Sequence, residues 1–273
     1  MQVHANVMIK NEEYLLQHVV PIWKNYQIDK WVFYDDNSSD NTVALIKDVF
    51  GDKAIIFNDK LPKFHEAYHR SKMLEYSRSQ EADFVIAMDA DELLSSNFVK
   101  NFNKVLEGNK KFDIQYYWYN VVDALQNYRQ DPMYRRNYRR FVLPLKNTGK
   151  FDMSQYKYHT PRTPDVALPK INIEKVGFIH LQSINKKFYA LKQLWYKHYE
   201  YKEYGHSVDY INQRYDPVVN NLQFDEISTP KEIIDGINFD SKVYDKILDH
   251  KQYREYIEDN KVDELITFGR EYL

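Results

Sequence analysis

Three acidic side chains follow an apolar run close to residue 90. The run Phe84–Met88 leads directly into Asp89, Ala90, Asp91 and Glu92. An apolar run that stops at charged residues is typical of a buried parallel strand, and ligands of open α/β sheets bind just outside such strand ends. Because the two aspartates are two residues apart, extended backbone places their carboxylates on one face. Their mutual repulsion predicts a divalent cation with oxygen ligands, which would bridge to a substrate phosphate.

Two earlier apolar segments also end in polar clusters. Val3–Ile9 is followed by Asn11 and Glu12, and Trp31–Tyr34 is followed by Asp36. Each cluster alone is compatible with an ordinary turn and helix start, where small polar residues cap the helix and acids suit its first turn. Three such strand ends in sequence instead predict one shared ligand pocket, in which Asp36 accepts hydrogen bonds from a base or a ribose.

Strands and helices alternate through the first 110 residues, which predicts a parallel sheet built by right-handed crossovers. The predicted strands are Val3–Ile9, Trp31–Tyr34, Ala54–Phe57 and Phe84–Met88. The predicted helices are Glu12–Tyr26, Asp40–Phe50 with Asp40 as N-cap, Glu66–Ser79 and Phe98–Leu106. We therefore predict an α/β fold with a mostly parallel, Rossmann-like sheet flanked by helices.

The rest of the chain has a different pattern. Short strands among loops are predicted between residues 112 and 182, a helix over Lys186–Tyr204, and two or three short amphipathic helices from about Pro217. The predicted organisation is one domain over 1–204, with one half over 1–110 and a second half over 111–204. A helical C-terminal extension is predicted over 205–273, and three roles are open for it: packing on the same domain, dimerisation and contact with a membrane.

Composition excludes several classes of protein. The 273 residues carry a net charge of −2, which gives no general attraction to nucleic acid. There is no cysteine, so disulfides, thiolate metal sites and cysteine nucleophiles are excluded. The seven glycines form neither a dinucleotide-binding fingerprint nor a P-loop. With no visible signal peptide and no apolar run of about 18 residues, we expect a cytoplasmic protein, in contact with a membrane at most peripherally.

Three motifs resemble the family 2-like glycosyltransferases of the GT-A fold. They are Met8–Glu13, Asp35–Thr42 and Met88–Glu92, in the family's order and spacing. The Asp-x-Asp-Glu form is similar to the subgroup whose motif reads Asp-x-Asp-Glu-Phe. The resemblance is good over residues 3–106 and thin afterwards.

The resemblance implies that 1–110 is the nucleotide-binding half and 111–204 the acceptor half of a glycosyltransferase domain. It also implies a role for several residues. Asp36 would contact the nucleoside of a nucleotide-sugar, Asp89 the ribose or the metal, and Asp91 the Mn²⁺ or Mg²⁺ that bridges the diphosphate. His180, which ends a later apolar segment, would be a third metal ligand, although a histidine at a strand end also suits a structural role. Arg70 and Lys72 would face the nucleotide, unless they are surface charges of their helix.

Basic residues later in the chain suit an anionic ligand. Residues 134–141 contain four arginines, which fit an anionic acceptor, a lipid-diphosphate carrier, a membrane surface or a merely solvated loop. Three lysines could help to neutralise a diphosphate or could be solvated helix residues: Lys186, Lys187 and Lys192.

An inverting transferase needs a carboxylate that deprotonates the acceptor hydroxyl. By position the candidates are Asp123, Asp131, Asp152 and Asp165, of which Asp123 and Asp152 rank first. No Glu-Asp pair of the kind found in many family members is present, so the sequence leaves the base and the stereochemistry open.

The predicted function is metal-dependent transfer of a sugar from a nucleotide-sugar to a glycan, glycolipid or glycoprotein, with inversion. The alternatives are a retaining transferase on the same fold, a sugar nucleotidyltransferase and a non-catalytic module that binds sugar nucleotides. Self-association is open, and nucleic acid is not an expected partner.

Overall fold

The computed structural model describes residues 1–61, 65–132, 134–135, 137–150, 160–219, 224–240, 242–243 and 251–273. Its contacts divide the chain into two compact units. Unit 1 comprises Met1–Trp118, Asn137–Ile179 and Pro230–Phe239, and unit 2 comprises Tyr119–Arg136, His180–Thr229 and Asp240–Leu273. The units alternate along the chain, so the predicted domain boundary after residue 204 falls within unit 2 and stays a prediction.

Strands and helices alternate through the first part of unit 1, as the sequence predicts. The strands are β1 (Val3–Ile9), β2 (Lys30–Asp35), β3 (Ala54–Phe57), β4 (Phe84–Asp89) and β5 (Glu92–Leu94). The helices are α1 (Glu13–Trp23), α2 (Thr42–Phe50), α3 (Glu66–Ser79), α4 (Ser96–Lys100) and α5 (Phe102–Asn109).

The later elements are mostly short strands followed by helices. They are β6 (Asp113–Val122), β7 (Asn127–Arg129), β8 (Tyr138–Arg139), β9 (Val142–Pro144), β10 (Lys170–His180), α6 (Lys186–Tyr204), α7 (Val208–Val219), β11 (Glu226–Ser228), α8 (Lys231–Ile234) and α9 (Lys251–Asp259). None of the helices within the described ranges is long and apolar enough to cross a bilayer.

The main sheet of unit 1 has the strand order β3-β2-β1-β4-β9. The first four strands are parallel, and β9 runs antiparallel to β4 at the edge. The predicted architecture, an α/β fold with a mostly parallel sheet flanked by helices, is confirmed. Since β2 and β4 lie on opposite sides of β1, the strand order reverses at β1. That reversal is the place where open α/β sheets bind ligands, outside the carboxyl ends of their strands.

Helix α1 packs on the sheet because its apolar side chains recur at helical spacing. Leu15, Leu16, Val19, Val20 and Trp23 are all buried. Each such side chain contributes about 1.5–3 kcal/mol when it is fully removed from water. A cluster of stacked rings continues this core, with ring centroids 5.1 Å apart for Trp23 and Trp31, and 4.8 Å apart for Trp31 and Phe50.

Two details of the helices differ from the sequence prediction. The N-cap position of α2 is Asn41 and not Asp40; Asp40 instead accepts a hydrogen bond from the backbone N–H of Thr42 and another from that of Glu13. The predicted helix Phe98–Leu106 is divided at Asn101, whose φ and ψ of −114° and 25° leave the helical region. The sequence predicted that Asp40 would cap helix α2 alone. In the structure its carboxylate accepts hydrogen bonds at the starts of both α1 and α2.

Unit 2 combines a small antiparallel ladder with packed helices. The end of β6 pairs with β7, and β7 pairs with β11. Helices α6 and α9 share an apolar cluster that includes Leu191, Leu194 and Ile257. Arg129 is buried in this unit, with its guanidinium carbon 3.7 Å from the ring centroid of Phe224 and 4.1 Å from that of Tyr134.

Candidate active site

The turns after β1 and β2 are joined by side-chain hydrogen bonds. Asn11 has a φ of 52°, a left-handed conformation that few residues other than glycine adopt. Its backbone N–H donates to Ser38 Oγ at 2.9 Å, and its Oδ1 accepts from the backbone N–H of Ser39 at 2.7 Å. The N–H of Glu12 donates to Thr42 Oγ1 at 2.8 Å. Asn11 and Glu12 therefore shape this edge of the sheet, and their direct contact with a nucleotide stays a prediction.

Asp36 lies at the end of β2, where the sequence places it. Its side chain is only 8% exposed, and its Oδ2 is 2.7 Å from Lys10 Nζ. The register pairs Ile9 with Asp35 and Met8 with Asp89, so the ends of β1, β2 and β4 are level. The structure thus brings Asp36 and Asp89 to the same edge of the sheet, on either side of β1.

A further carboxylate, Asp59, lies just beyond β3 and was missed by the sequence prediction. The hydroxyls of Tyr34 and Tyr68 donate to its Oδ2 at 3.3 Å and 2.9 Å, and Lys72 Nζ lies 3.3 Å away. The hydrogen bond from Tyr68 is the largest effect that lowers the pKa of Asp59. Lys72, predicted to face the nucleotide, contacts this carboxylate. The missed signal was a polar pair after a strand, Asn58-Asp59, the same pattern as at the other three strand ends.

The buried side of helix α3 is unusually polar. It includes His69, whose ring stacks on Tyr34 with centroids 3.8 Å apart, and Arg70. Burial lowers the pKa of His69 to about 4, so the imidazole is neutral at physiological pH. Polar side chains on the sheet-facing side of a helix are expected where that helix borders a ligand site, because a purely structural helix buries apolar groups there.

The acidic motif itself is surrounded by arginines. Arg70 Nη2 lies 2.8 Å from Glu66 Oε1 and 3.3 Å from Asp89 Oδ1. Arg162 Nη2 lies 2.6 Å from Asp89 Oδ2 and 2.8 Å from Glu92 Oε1. Asp91 is half-buried in the turn between β4 and β5. The repulsion between carboxylates that the sequence implies is thus partly offset by two guanidinium groups.

Glu92 is fully buried at the start of β5. One of its oxygens, Oε2, accepts hydrogen bonds from Arg162 Nη1 at 2.8 Å and from the backbone N–H of Asp89 at 2.9 Å. Burial raises the pKa of Glu92, and the charge of Arg162 opposes that shift. Burial also acts to lower the pKa of Arg162, but Asp89 and Glu92 outweigh it, and the net direction is upward. Glu92 thus begins a strand, and its oxygens bond to two groups at the motif, the side chain of Arg162 and the backbone of Asp89.

The sequence prediction missed Arg162 altogether. It lies in the segment Pro161-Arg162-Thr163-Pro164, in the half of the chain where the family resemblance is thin. Its contact with Glu92 joins residues 70 positions apart. The one local signal was an arginine between two prolines, which have a fixed φ and so hold the chain in a defined path.

His180, the predicted third metal ligand, ends β10 and belongs to unit 2. It is buried, and its Nδ1 is 2.6 Å from Asn120 Oδ1 of the same unit. Within the described ranges, no group of three or more His, Asp or Glu side chains is arranged to hold a metal ion. The role of His180 at a metal therefore stays a prediction.

The candidates for the catalytic base differ in their settings. Asp123 is exposed in the turn between β6 and β7, with a φ of 47°. Asp152 lies outside the described residues. Asp131 is paired with Arg129, whose Nε is 2.8 Å from Asp131 Oδ2, and Asp165 is exposed. Asp123 and Asp152 remain predictions for this role.

The arginine-rich segment is not uniformly exposed. Arg140 forms a two-pronged pair with Asp113, with Nε and Nη2 each 2.5 Å from a carboxylate oxygen. Arg135 and Arg139 are exposed, whereas Arg136 lies outside the described residues. At least one of the four arginines therefore has a structural partner and is not available to an anionic acceptor.

Comparison with known proteins gives a family and several distant structures. The model of glycosyl transferase family 2 matches residues 7–159, more than half of the chain. A search of curated proteins finds no match.

Solved structures with similarity include S. aureus TarS 1-349, at 11% identity and a TM-score of 0.44, covering 74% of this chain and 66% of that one. The same protein in complex with UDP-GlcNAc matches at 16% identity and a TM-score of 0.37, covering 46% and 38%. Glucosyl-3-phosphoglycerate synthase from Mycobacterium tuberculosis, in complex with Mn²⁺, UDP-glucose and phosphoglyceric acid, matches at 17% identity and a TM-score of 0.31, covering 44% of each chain. This chain thus spans less than two thirds of the length of these structures.

Proposed function

This chain belongs to glycosyl transferase family 2, as its motifs predicted, and on that premise we propose that it transfers a sugar from a nucleotide-sugar to an acceptor hydroxyl. The acceptor class that we propose is a glycan, glycolipid or glycoprotein, with Mn²⁺ or Mg²⁺ as cofactor and inversion at the anomeric carbon. The observation that carries this proposal is the placement of Asp36, Asp89 and Asp91 at the edge of the sheet where the strand order reverses.

That edge suits a nucleotide. Asp36 presents a carboxylate that accepts hydrogen bonds from a ribose or a base, and Lys10 fixes it at 2.7 Å. Arg70, Lys72 and Arg162 bring positive charge to the same unit, and arginine and lysine are the side chains that bind phosphate. The side chains of unit 1 would therefore bind and orient the donor.

The donor atoms at the motif also suit a divalent cation. Asp89 is 31% exposed at its side chain and Asp91 is half-buried, and both offer the hard oxygen ligands that Mg²⁺ and Mn²⁺ prefer. Asp91, with Asp89, would hold the ion. Such ions are commonly bound by one or two carboxylates, with substrate phosphates and water as the other ligands. When bound, the ion would act as a Lewis acid that stabilises negative charge on the departing diphosphate.

The acceptor hydroxyl needs a carboxylate that takes its proton as the new bond forms. Asp123 and Asp152 are the residues that we propose for this step. A direct displacement of this kind inverts the anomeric centre, so the product's anomeric configuration, measured by NMR, tests inversion separately from donor binding.

The decisive experiment is a thermal-shift titration with UDP and Mn²⁺, because a ligand that binds the folded state raises the melting temperature. At 100 times its dissociation constant such a ligand stabilises by about 2.7 kcal/mol. We expect a Mn²⁺-dependent shift in the wild type and its loss in Asp91→Asn. Asp48→Asn, at an exposed acid of helix α2, is the matched control and should keep the shift.

An equal shift in Asp91→Asn and the wild type would overturn the proposed cation site. Binding should be followed by release of UDP from a panel of UDP-sugars, measured with and without Mn²⁺. Failure of every nucleotide-sugar to bind, in a folded protein, would overturn the proposed function itself.

A further inference from the structure

Arg162 contacts two carboxylates of the acidic motif. Its Nη1 donates to Glu92 Oε2 at 2.8 Å, while its Nη2 lies 2.8 Å from Glu92 Oε1 and 2.6 Å from Asp89 Oδ2. One guanidinium therefore joins the first carboxylate of the acidic motif to the last. A planar fork of this kind fixes geometry as well as charge, because its two N–H groups match the two oxygens of a carboxylate.

The position of this guanidinium is itself constrained. Its central carbon lies 5.1 Å from the ring centroid of Trp118 and 5.1 Å from that of Phe141. Its side chain is only 11% exposed. Two residues earlier, the backbone N–H of Thr160 donates to Glu66 Oε2 at 2.9 Å, which attaches the segment to helix α3. The aromatic rings and the bond from Thr160 to helix α3 therefore hold Arg162 independently of its contacts with the motif.

Both oxygens of Asp89 lie close to arginine. Oδ2 lies 2.6 Å from Arg162, and Oδ1 lies 3.3 Å from Arg70 Nη2. In addition, Glu92 Oε2 accepts a hydrogen bond from the backbone N–H of Asp89. Contacts to both the side chain and the backbone of Asp89 therefore fix the position of its carboxylate. A cation that binds Asp89 must share or displace an arginine contact, and it meets the repulsion of a positive charge a few ångström away.

We propose that Arg162 is a positioning residue that holds Asp89 in place and competes with the divalent cation for the carboxylate of Asp89. As a consequence, the cation binds well only together with a nucleoside diphosphate. The inference rests on the proposed function and adds an order of binding to it. The diphosphate supplies the negative charge that offsets Arg162 and Arg70. Without nucleotide, Asp91 is the main ligand left to the ion, and affinity for the ion alone is low.

The test measures Mn²⁺ affinity directly, by isothermal titration calorimetry, first without nucleotide and then at saturating UDP. In Arg162→Gln we expect the affinity for Mn²⁺ alone to rise about tenfold or more, because the substitution removes a positive charge a few ångström from the ion. The gain in Mn²⁺ affinity that UDP produces should shrink by a similar factor. Damage to the structure would lower the affinity for Mn²⁺, so a rise is a result that a merely structural role cannot give.

Arg140→Gln is the matched control. Arg140 is also a partly buried arginine of unit 1 in a two-pronged pair with a carboxylate, that of Asp113. Among the described residues, its other polar contacts are with the backbone oxygen of Pro164 and with Asp165, which lie outside the acidic motif. We expect its Mn²⁺ affinity to equal that of the wild type. Glu92→Gln is a second comparison, in which no rise in Mn²⁺ affinity is expected. It removes a negative charge near the site and leaves Arg162 with Asp89 as its charged partner. Its affinity for Mn²⁺ alone should fall or stay unchanged.

The outcomes separate the two levels of the proposal. If wild-type binding of Mn²⁺ and UDP depends on Asp91, but Arg162→Gln behaves like Arg140→Gln, the positioning role is wrong and the proposed function stands. If the wild type binds no Mn²⁺ either with or without UDP, this inference and the proposed cation site are overturned, and the binding of nucleotide-sugars decides the proposed function separately. Should Arg162→Gln fail to fold, Arg162→Met removes the same charge and keeps an unbranched side chain beside Trp118 and Phe141. A rise in affinity for Mn²⁺ alone of at least threefold in that folded variant would support the inference, and no rise would overturn it.

Discussion

Replacing His69 by phenylalanine removes a buried titratable ring and keeps an aromatic one. The imidazole is 0% exposed and stacks on Tyr34 at a centroid distance of 3.8 Å, an arrangement that a phenyl ring can retain. Burial lowers the pKa of His69 to about 4, against 6.5 for an unperturbed histidine. The folded state therefore resists protonation at this ring more strongly than the unfolded state does.

The sign and size of the effect follow from that difference. Because the pKa of His69 is lower in the folded state, its contribution to the free energy of unfolding is present above pH 6.5. That contribution is lost as the pH falls from 6.5 towards 4. For these two values, proton linkage gives a loss of about 2.5 kcal/mol between pH 7 and pH 4.5. His4 and His198 also have pKa values lowered by burial, so they add losses of the same sign. The quantity to measure is therefore the difference between the variant and the wild type.

The assay is urea denaturation of both proteins at pH 7 and at pH 4.5, with the free energy of unfolding extrapolated to water. We expect His69→Phe to lose about 2.5 kcal/mol less than the wild type between the two pH values. The control is His18→Phe. His18 lies on helix α1 but outside its set of buried residues, and this variant should lose as much free energy of unfolding between the two pH values as the wild type does. Equal losses in His69→Phe and the wild type would refute the reasoning, since the ring would then titrate normally in the folded state.

Three further substitutions test how the structure supports the site, each by denaturant unfolding. Trp23→Phe removes the hydrogen bond from Trp23 Nε1 to the carbonyl oxygen of Glu92 at 2.9 Å and should cost about 1–3 kcal/mol; no loss would show that this bond is not needed. Asn11→Ala should destabilise more than Asn11→Gly by about 1 kcal/mol, because φ is 52° and both variants lose the bond to Ser39; the reverse order would contradict the left-handed turn. Arg129→Lys should destabilise unit 2 by about 1–2 kcal/mol, since lysine lacks a planar group to stack between aromatic rings; an unchanged midpoint would show that charge alone suffices.

The strand ends show how far local pattern extends. The runs before Asn11, Asp36 and Asp89 were recognisable because a buried parallel strand is apolar along its length and its end is marked by the first polar residues. The structure confirms those strands, and their shared edge follows from parallel pairing alone. The same rule applied to Asn58-Asp59 would have found the fourth strand end.

Arg162 shows where that reasoning stops. Its partners, Asp89 and Glu92, are about 70 residues earlier in the chain, and the contact depends on where the tertiary fold places Arg162 relative to β4 and β5. Helical or strand periodicity carries no information on that path. The base is a similar case, because an exposed aspartate such as Asp123 has no local pattern that distinguishes it from other surface acids.

Local sequence was sufficient to predict the α/β class, the order of the first four strands and helices, and the acidic clusters that follow the strands. These depend on periodicity and on the chemistry of neighbouring residues, which are local properties. The folded structure was needed to show which arginine and lysine side chains surround those acids and how deeply Glu92 is buried. It was also needed to show that two tyrosines and a lysine contact Asp59. Charge, burial and pKa at a site depend on groups that meet only after the chain has folded, so they follow from distances in space and not from spacing in sequence.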